Sequence, residues 1–343
     1  MKVLLGMSGG IDSSMCAFLL REQGYEVYGI SFQFLKEDAP LQDAVKLAEK
    51  LQIPHFILDA RTEFQHTVID YFTSEYLTGR TPFPCAKCNN ELKWRLIFEQ
   101  AEKLGCEKVA MGHYVNIVQE NGFFFVKEGL DADKDQSFFL WGLSQAQLQD
   151  IIFPLGTYTK AQVKEMAEKR GFYSLAVKKE STGACFCSGD YRPFLHSQVQ
   201  QPEKYFYPGN FLDETGNILG THPGYPLFTV GQRRGFGLRL NQAMFVKEIR
   251  PQTNEIVLAP LKNMYRTSFL VKEYRLVNPA LFTKEFDTIT RIRYRKQNTW
   301  SRIKILDDKT LEVALKEPLE SIAPGQTTVF YRDGKVLGGG FIY

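Results

Sequence analysis

The stretch Gly6-Met7-Ser8-Gly9-Gly10-Ile11-Asp12-Ser13-Ser14 separates an apolar, strand-like run, Val3-Leu4-Leu5, from a helical pattern over 13–23. A strand–glycine loop–helix unit turns backbone N–H groups and the positive end of a helix towards an anion. Ser8, Ser13 and Ser14 add hydroxyl donors, and Asp12 adds a carboxylate suited to holding Mg2+ or positioning the loop. The lysine of a GxxxxGK[ST] phosphate loop is missing. A bare glycine-rich turn carries little information, but the whole string SGGIDSS is far more specific than such a turn.

Outward from this loop, strand and helix signals alternate. Strand-like runs at 26–34, 55–59 and 108–112 are separated by helical patterns at 39–51, 63–78 and 91–104, with a further helix at 160–170 stopped by Gly171. This alternation predicts an α/β fold with a Rossmann-like parallel sheet covered on both faces. Beyond residue 205 the texture becomes rich in Tyr, Phe, Gly and Pro, and from 268 onward short alternating runs predict a β-barrel closed by a tight turn at Arg332-Asp333-Gly334-Lys335. The expected organisation is a nucleotide-binding catalytic domain at 1–204, a small mixed α+β domain at 205–267 and a C-terminal β-barrel at 268–343.

The 343-residue chain is 44% apolar and 24% charged, as in folded globular proteins, and its net charge of +3 is too small to argue for nucleic acid by itself. No run of about 18 apolar residues is present, and the N-terminal MKVLL is too short for a signal peptide, so a cytoplasmic protein without membrane association is expected. The local basic stretch Arg291-Ile292-Arg293-Tyr294-Arg295-Lys296 is more informative than the total charge. Of six cysteines, Cys16 and Cys106 sit singly in apolar patterns and read as core. Cys85 and Cys88 form a CxxC, and Cys185 and Cys187 a CxC. In a reducing compartment such pairs point to a metal, a cluster or redox chemistry.

The SGGIDSS string resembles the pyrophosphate (PP) loop of adenine nucleotide alpha hydrolase-like ATP pyrophosphatases, which cleave ATP between the α- and β-phosphates. Eight motifs in series, GRTPFPCAKCNNELKW (79–94), MGHY (111–114), DKDQSFFLWGL (133–143), FPLGTYTKAQVKEMAEKRGF (153–172), ESTGACFCSGDYRPFL (180–195), HPGYPLFTVGQRRGFGL (222–238), RIRYR (291–295) and APGQTTVFY with GGGFI (323–342), make the whole chain resemble the bacterial tRNA-specific 2-thiouridylases. That resemblance implies ATP-dependent replacement of the C2 oxygen of a wobble uridine by sulfur. ATP and Mg2+ would be used, with tRNA and a persulfide-carrying sulfur donor, such as a cysteine desulfurase or relay, as partners.

By the same resemblance, Cys185 carries persulfide sulfur and Cys88 is its partner. The 6–14 loop, Phe32 and Gly112 would hold ATP. Phe83, Pro84, Cys85, His113, Lys134, Asp135 and Gln136 would contact the target base or nearby tRNA, and Arg293, Tyr294 and Gln326 the anticodon arm. Gln232-Arg233-Arg234 forms a second basic site. Two departures matter: Cys85 stands where many relatives carry aspartate, and Cys187 where they often carry an apolar residue. Cys85, Cys88 and Cys185 therefore also suit a [4Fe–4S] cluster with one open iron, and all four clustered cysteines suit zinc. At this level the paired-thiol and cluster schemes use the same residues and both stand open. The rival functions are another PP-loop ligase acting on a small molecule and a non-catalytic tRNA-binding paralogue.

Overall fold

The computed structural model describes residues 1–36, 39–173, 183–187, 189–282, 286–294 and 297–343, with the side chains of 39 and 40 left out. Two compact units result: Met1–Thr67, Cys85–Thr182 and Arg332–Gly338 form the first, and Val68–Pro84, Gly183–Tyr331 and Gly339–Tyr343 the second.

The first unit is built on β1 (Lys2–Gly6), α1 (Ile11–Glu22), β2 (Glu26–Gln33), α2 (Ala39–Leu51) and β3 (His55–Asp59). Val3, Leu4 and Leu5 are all fully buried, as a strand covered on both faces requires. The stripe Ala44, Leu47, Ala48 and Leu51 of α2 packs with Met15, Cys16 and Leu20 of α1 in one core, as the 3.6-residue period demands. The helical pattern after β3 is realised as α3 (Arg61–Phe64), a π-helical turn Gln65–Ile69 and α4 (Asp70–Leu77), of which α4 lies in the second unit.

The next helix begins at α5 (Pro84–Lys87), passes through a π-helical turn at Cys88–Lys93 and ends as α6 (Trp94–Leu104). Its start precedes the expected 91, because Pro84 at the first helical position has the φ a helix needs and no N–H to satisfy. Then follow β4 (Lys108–Ala110), the hairpin β5 (Val115–Glu120) and β6 (Phe123–Glu128), α7 (Gln145–Asp150), β7 (Ile151–Ile152) and α8 (Lys160–Lys169). The parallel sheet has the order β3-β2-β1-β4-β7. Strand order reverses beside β1, so the crevice past the ends of β1 and β4 is the switch point where such sheets take ligands. Cys16 is fully buried, as expected, but Cys106 is only partly so. It follows the left-handed Gly105 that ends α6 and precedes β4, so it sits on a connection rather than in the core.

The second unit contains α9 (Tyr191–Gln198) and a four-stranded sheet of β8 (Gly209–Leu212), β9 (Ile218–His222), β10 (Met244–Arg250) and β11 (Glu255–Pro260), in the order β10-β11-β8-β9. Strands β12 (Tyr265–Leu276), β13 (Asp287–Arg291), β14 (Thr299–Ile305), β15 (Thr310–Glu320), β16 (Thr327–Arg332) and β17 (Lys335–Ile342) follow in the order β12-β15-β14-β13-β16-β17, and β17 pairs back to β12 to close a barrel. Asp333 and Gly334 both take positive φ, 51° and 71°. That is the tight hairpin the RDGK sequence predicts. In the first unit, Lys335 pairs with Lys127 of β6, and its Nζ lies 2.6 Å from the Glu120 carboxylate. Among the described residues, no helix is long and apolar enough to cross a membrane.

Candidate active site

Gly6 ends β1 and Gly10 is the N-cap of α1, with no side-chain hydrogen bond closing that terminus. A helix N-terminus without a cap leaves N–H donors open to an anion. The serines shape the loop: Ser13 and Ser14 hydroxyls donate to the Gly10 carbonyl at 3.1 and 2.8 Å, and Ser8 N–H donates to Ser13 Oγ at 3.3 Å. Gly112, past the end of β4, lies so close that a Cβ there would be 3.3 Å from Asp12 and from the Ser13 nitrogen. Ser31 of β2 donates to the Met7 carbonyl at 2.7 Å. Phe32, beside it, stacks on Phe34 at 5.7 Å.

The cation absent from the loop sequence arrives from far along the chain. Lys160, the first residue of α8, places Nζ 2.7 and 2.8 Å from the two Asp12 carboxylate oxygens, across a separation of 148 residues. The Tyr114 hydroxyl donates to the same carboxylate at 2.6 Å. Lys160 is 8% exposed, and its backbone N–H donates to Asp131 at 2.8 Å. Tyr114 is held in turn by Gln136, whose Oε1 accepts the Tyr114 N–H at 3.1 Å. Asp135 accepts from Gly129 N–H, Ser137 N–H and the Ser137 hydroxyl, although burial still raises its pKa. The first unit thus joins the loop, Tyr114, Gln136 and Lys160 into one network, with Gly112 packed against it and Lys134 and Asp135 on the adjoining turn.

His113 stacks on Trp94 at 5.8 Å and meets Phe153 edge-on at 5.9 Å. Its Nδ1 is sealed from solvent without a hydrogen bond. Burial, and secondarily Lys93, pushes its pKa down to about 3, so the ring is neutral near pH 7. Cys88 is 8% exposed at the start of its π-helical turn. Asn89 and Asn90 donate to the Cys85 and Ala86 carbonyls at 2.9 Å each, and Asn90 Oδ1 accepts the Gly142 N–H at 2.8 Å. Buried Asn89 Oδ1 has no partner.

In the second unit, Ala184-Cys185-Phe186-Cys187 forms a turn closed by the Cys187 N–H on the Ala184 carbonyl at 3.0 Å. Glu180, Ser181, Thr182 and Ser188 of this motif lie outside the described residues, as do Arg295 and Lys296 of the basic stretch. Phe186 is anchored against Phe72 and Phe194 at 5.2 and 5.0 Å, and Cys185 is exposed. Gln326 donates to the Thr81 and Pro82 carbonyls at 3.0 and 3.1 Å. It therefore ties down the strand of chain that leads into Phe83 and Pro84. Arg293 is exposed beside Glu320, 3.9 Å away, and Tyr294 follows it; Arg233 and Arg234 are exposed as well.

The cysteines divide as Cys85 and Cys88 in the first unit, and Cys185 and Cys187 in the second. Among the described residues, no three His, Cys, Asp or Glu side chains of either unit gather as a metal-binding group. Sequence reasoning missed Lys160 and Tyr114 as site residues. Both stood in quoted motifs, but Lys160 read as a helix start and Tyr114 was given no role beyond its place in MGHY.

His222 is 3% exposed, and burial lowers its pKa to about 4. With an unfolded pKa of about 6.5, the unfolded chain binds the extra proton, so this contribution is complete above pH 6.5 and is lost as pH falls towards 4. His222→Asn is expected to flatten the pH dependence of thermal unfolding, by about 2 kcal/mol between pH 7 and 5. Parallel curves for both proteins would refute this.

Family models match the chain along its length. A tRNA methyl transferase HUP domain covers residues 1–189, a tRNA methyl transferase PRC-barrel domain 194–260, and an aminomethyltransferase beta-barrel domain 266–342. A curated relative from Phocaeicola vulgatus, tRNA-specific 2-thiouridylase MnmA 2, is 50% identical over 99% of this chain and 97% of its own. Another from Bacteroides fragilis, tRNA-specific 2-thiouridylase MnmA 1, is 46% identical over 99% and 97%. A third, from Amoebophilus asiaticus, is 41% identical over 99% and 95%. A PP loop at the sheet's switch point, separated thiol pairs and full-length identity of this order together place the chain in the tRNA-specific 2-thiouridylase family.

Proposed function

We propose that the protein is a tRNA-uridine 2-sulfurtransferase that activates the wobble uridine with ATP and replaces its C2 oxygen by sulfur. The observation that carries this reading is the uncapped N-terminus of α1 in the SGGIDSS loop, with Asp12 held by Lys160 beneath it. The C2 oxygen is a poor leaving group as hydroxide. Attack of that oxygen on the α-phosphate forms an O–P bond, expels pyrophosphate and leaves AMP on the base. The open N–H groups and the Lys160 ammonium face the charge that develops on the phosphates. Phe32 and Gly112 border the nucleotide side of the loop.

The sulfur comes from a persulfide on Cys185, supplied by a protein donor such as a cysteine desulfurase or relay. A thiolate on Cys88 attacks Cys185 Sγ, and the outer sulfur leaves as hydrosulfide. Hydrosulfide bonds to C2, the C2–O bond breaks, and AMP departs with the oxygen. A Cys88–Cys185 disulfide remains for a thiol reductant. Near the target base stand Phe83, Pro84, Cys85, neutral His113, Lys134, Asp135 and Gln136. On the anticodon arm stand Arg293, Tyr294 and Gln326, the last by bracing 81–82.

Asp12 is already neutralised by Lys160 and does not suit a resident metal, so Mg2+ enters as part of the MgATP substrate. The [4Fe–4S] alternative needs Cys85 and Cys88 from one unit and Cys185 from the other. The paired-thiol route also draws on both units, and among the described residues no three candidate ligands gather in either one; no step is routed through a cluster. A stoichiometric cluster after anaerobic purification would overturn the paired-thiol route. The cell interior, where thiols stay reduced, suits this chemistry.

The test is pyrophosphate release and 2-thiouridine formation with unmodified tRNA transcripts. Both are expected only when the wobble base is uridine. Pyrophosphate release driven by small amine acceptors without tRNA would favour an amide-forming ligase instead. Arg293→Ala is expected to raise the KM for tRNA several-fold and to reduce the salt slope of binding by about one. An unchanged slope would remove Arg293 from the RNA surface.

A further inference from the structure

Cys187 lies outside the scheme above, yet it occupies the same turn as Cys185. The Cys187 N–H closes on the Ala184 carbonyl at 3.0 Å, and the two segments form an isolated bridge. The chain therefore reverses through Cys185 and Phe186. Phe186 is fixed in the aromatic cluster of Phe72, Tyr191, Phe194 and Phe206, which leaves the flanking thiols on one short, anchored arc. Residues two apart in a turn have Cα atoms about 5–6 Å apart, inside the range a disulfide spans. Only Phe186 separates Cys185 from Cys187.

Accessibility separates the thiols. Cys88 is buried, Cys187 partly exposed and Cys185 exposed. A disulfide left on Cys88 is screened on one side from a dissolved reductant, whereas one inside the 184–187 turn is open to it. The Cys187 thiol donates to the Asp190 carbonyl at 3.7 Å, and Asp190 is the N-cap of α9, so the turn is secured at both ends. Burial first, and the Asp190 carboxylate second, hold this thiol above its ordinary pKa. Less of this thiol is ionised near neutral pH, so its exchange with a disulfide is expected to speed up as pH rises.

We propose that Cys187 is the resolving thiol of Cys185, taking over the disulfide that sulfur transfer leaves on Cys88. The step is a balanced exchange: the Cys187 thiolate attacks Cys185 Sγ, the Cys185–Cys187 bond forms, the Cys88–Cys185 bond breaks and Cys88 departs as thiolate. No outside oxidant enters. A dithiol reductant then returns the Cys185–Cys187 pair to thiols. This rests on the reading of Cys185 as sulfur carrier, and it gives the second thiol of the CxC a catalytic role.

The sequence allows a direct test, because trypsin separates the thiols onto three peptides: Cys85 on 81–87, Cys88 on 88–93, and Cys185 with Cys187 on 180–204. Full-length protein is loaded with sodium polysulfide, desalted, and given MgATP and tRNA without reductant. It is then acid-quenched, alkylated, digested and analysed by mass spectrometry. The expected product is an unalkylated 180–204 peptide lighter than its dithiol by about 2 Da, the two hydrogens lost to an internal disulfide. In Cys187→Ser, peptide 88–93 linked to 180–204 is expected to accumulate, with multiple-turnover thiolation slowed about tenfold. Wild-type protein that yields only the 88–93 to 180–204 link, or a link between 81–87 and 88–93, overturns the resolving role while leaving Cys185 as carrier. If Cys185→Ser still thiolates tRNA, the underlying reading fails instead.

Discussion

Lys160→Met is expected to lower ATP-dependent thiolation by about 10²–10³-fold, the usual cost of losing one preorganised charge-stabilising donor. Methionine keeps most of the side-chain volume while removing the ammonium, so the loss is chiefly electrostatic. Lys160 is the cation that touches the loop carboxylate, and pyrophosphate release builds charge on the far side of the α-phosphate. The folded state also suffers. Breaking a fully buried pair costs about 3–5 kcal/mol, but the Asp12 side chain is 33% exposed, so solvent and the Tyr114 hydroxyl reduce this to about 1–2 kcal/mol. Asp12→Asn combined with Lys160→Met is expected to recover most of that stability and none of the activity. Thiolation within threefold of wild type in Lys160→Met would remove the lysine from the reaction. Stability losses that simply add in the double variant would remove the coupling.

The second large effect is structural. Gly129→Ala is expected to destabilise the first unit by about 3 kcal/mol, the upper end for overpacking, and to lower Tm by roughly 6–12 °C. A Cβ at Gly129 would stand 2.4 Å from the Tyr114 carbonyl oxygen and 2.8 Å from its carbon. These are backbone atoms of a residue already held by Gln136, so they have little room to retreat. Moving the Tyr114 backbone displaces its hydroxyl from Asp12, so pyrophosphate release is expected to fall in the protein that remains folded. Calorimetry and a pyrophosphate assay on one preparation check both parts. A Tm within 2 °C of wild type, roughly under 1 kcal/mol, would show that the hairpin absorbs the methyl group.

Much of this site was legible because its signals are local. The apolar run Val3–Leu5 announces a covered strand, Gly9 and Gly10 a turn, and the 3.6-residue stripe on α2 a packed face. The hairpin at Asp333-Gly334 follows from two residues alone. Lys160 was not legible: its helix start is clear, but nothing local says that its ammonium ends on a carboxylate from the first loop. Gln326 has the same problem, since a polar residue after Pro-Gly reads as surface until the Thr81 and Pro82 carbonyls are seen against it. The π-helical turns carrying Cys88 and Val68 escaped because one extra residue per turn barely shifts an apolar pattern. Cys106 read as core from its apolar neighbours, yet the Gly105 stop places it on a connection.

The chain passes between the two units five times, after Thr67, Pro84, Thr182, Tyr331 and Gly338. Neither unit can therefore be finished by a growing N-terminal segment. The nucleotide-binding unit lacks its last piece until residue 338 has been synthesised, and the other unit needs residues made 260 positions earlier. The contacts that join such distant segments close late, which slows folding and leaves apolar strands waiting without partners. On a ribosome, the first unit should reach its full protease resistance only after residue 338 has been made.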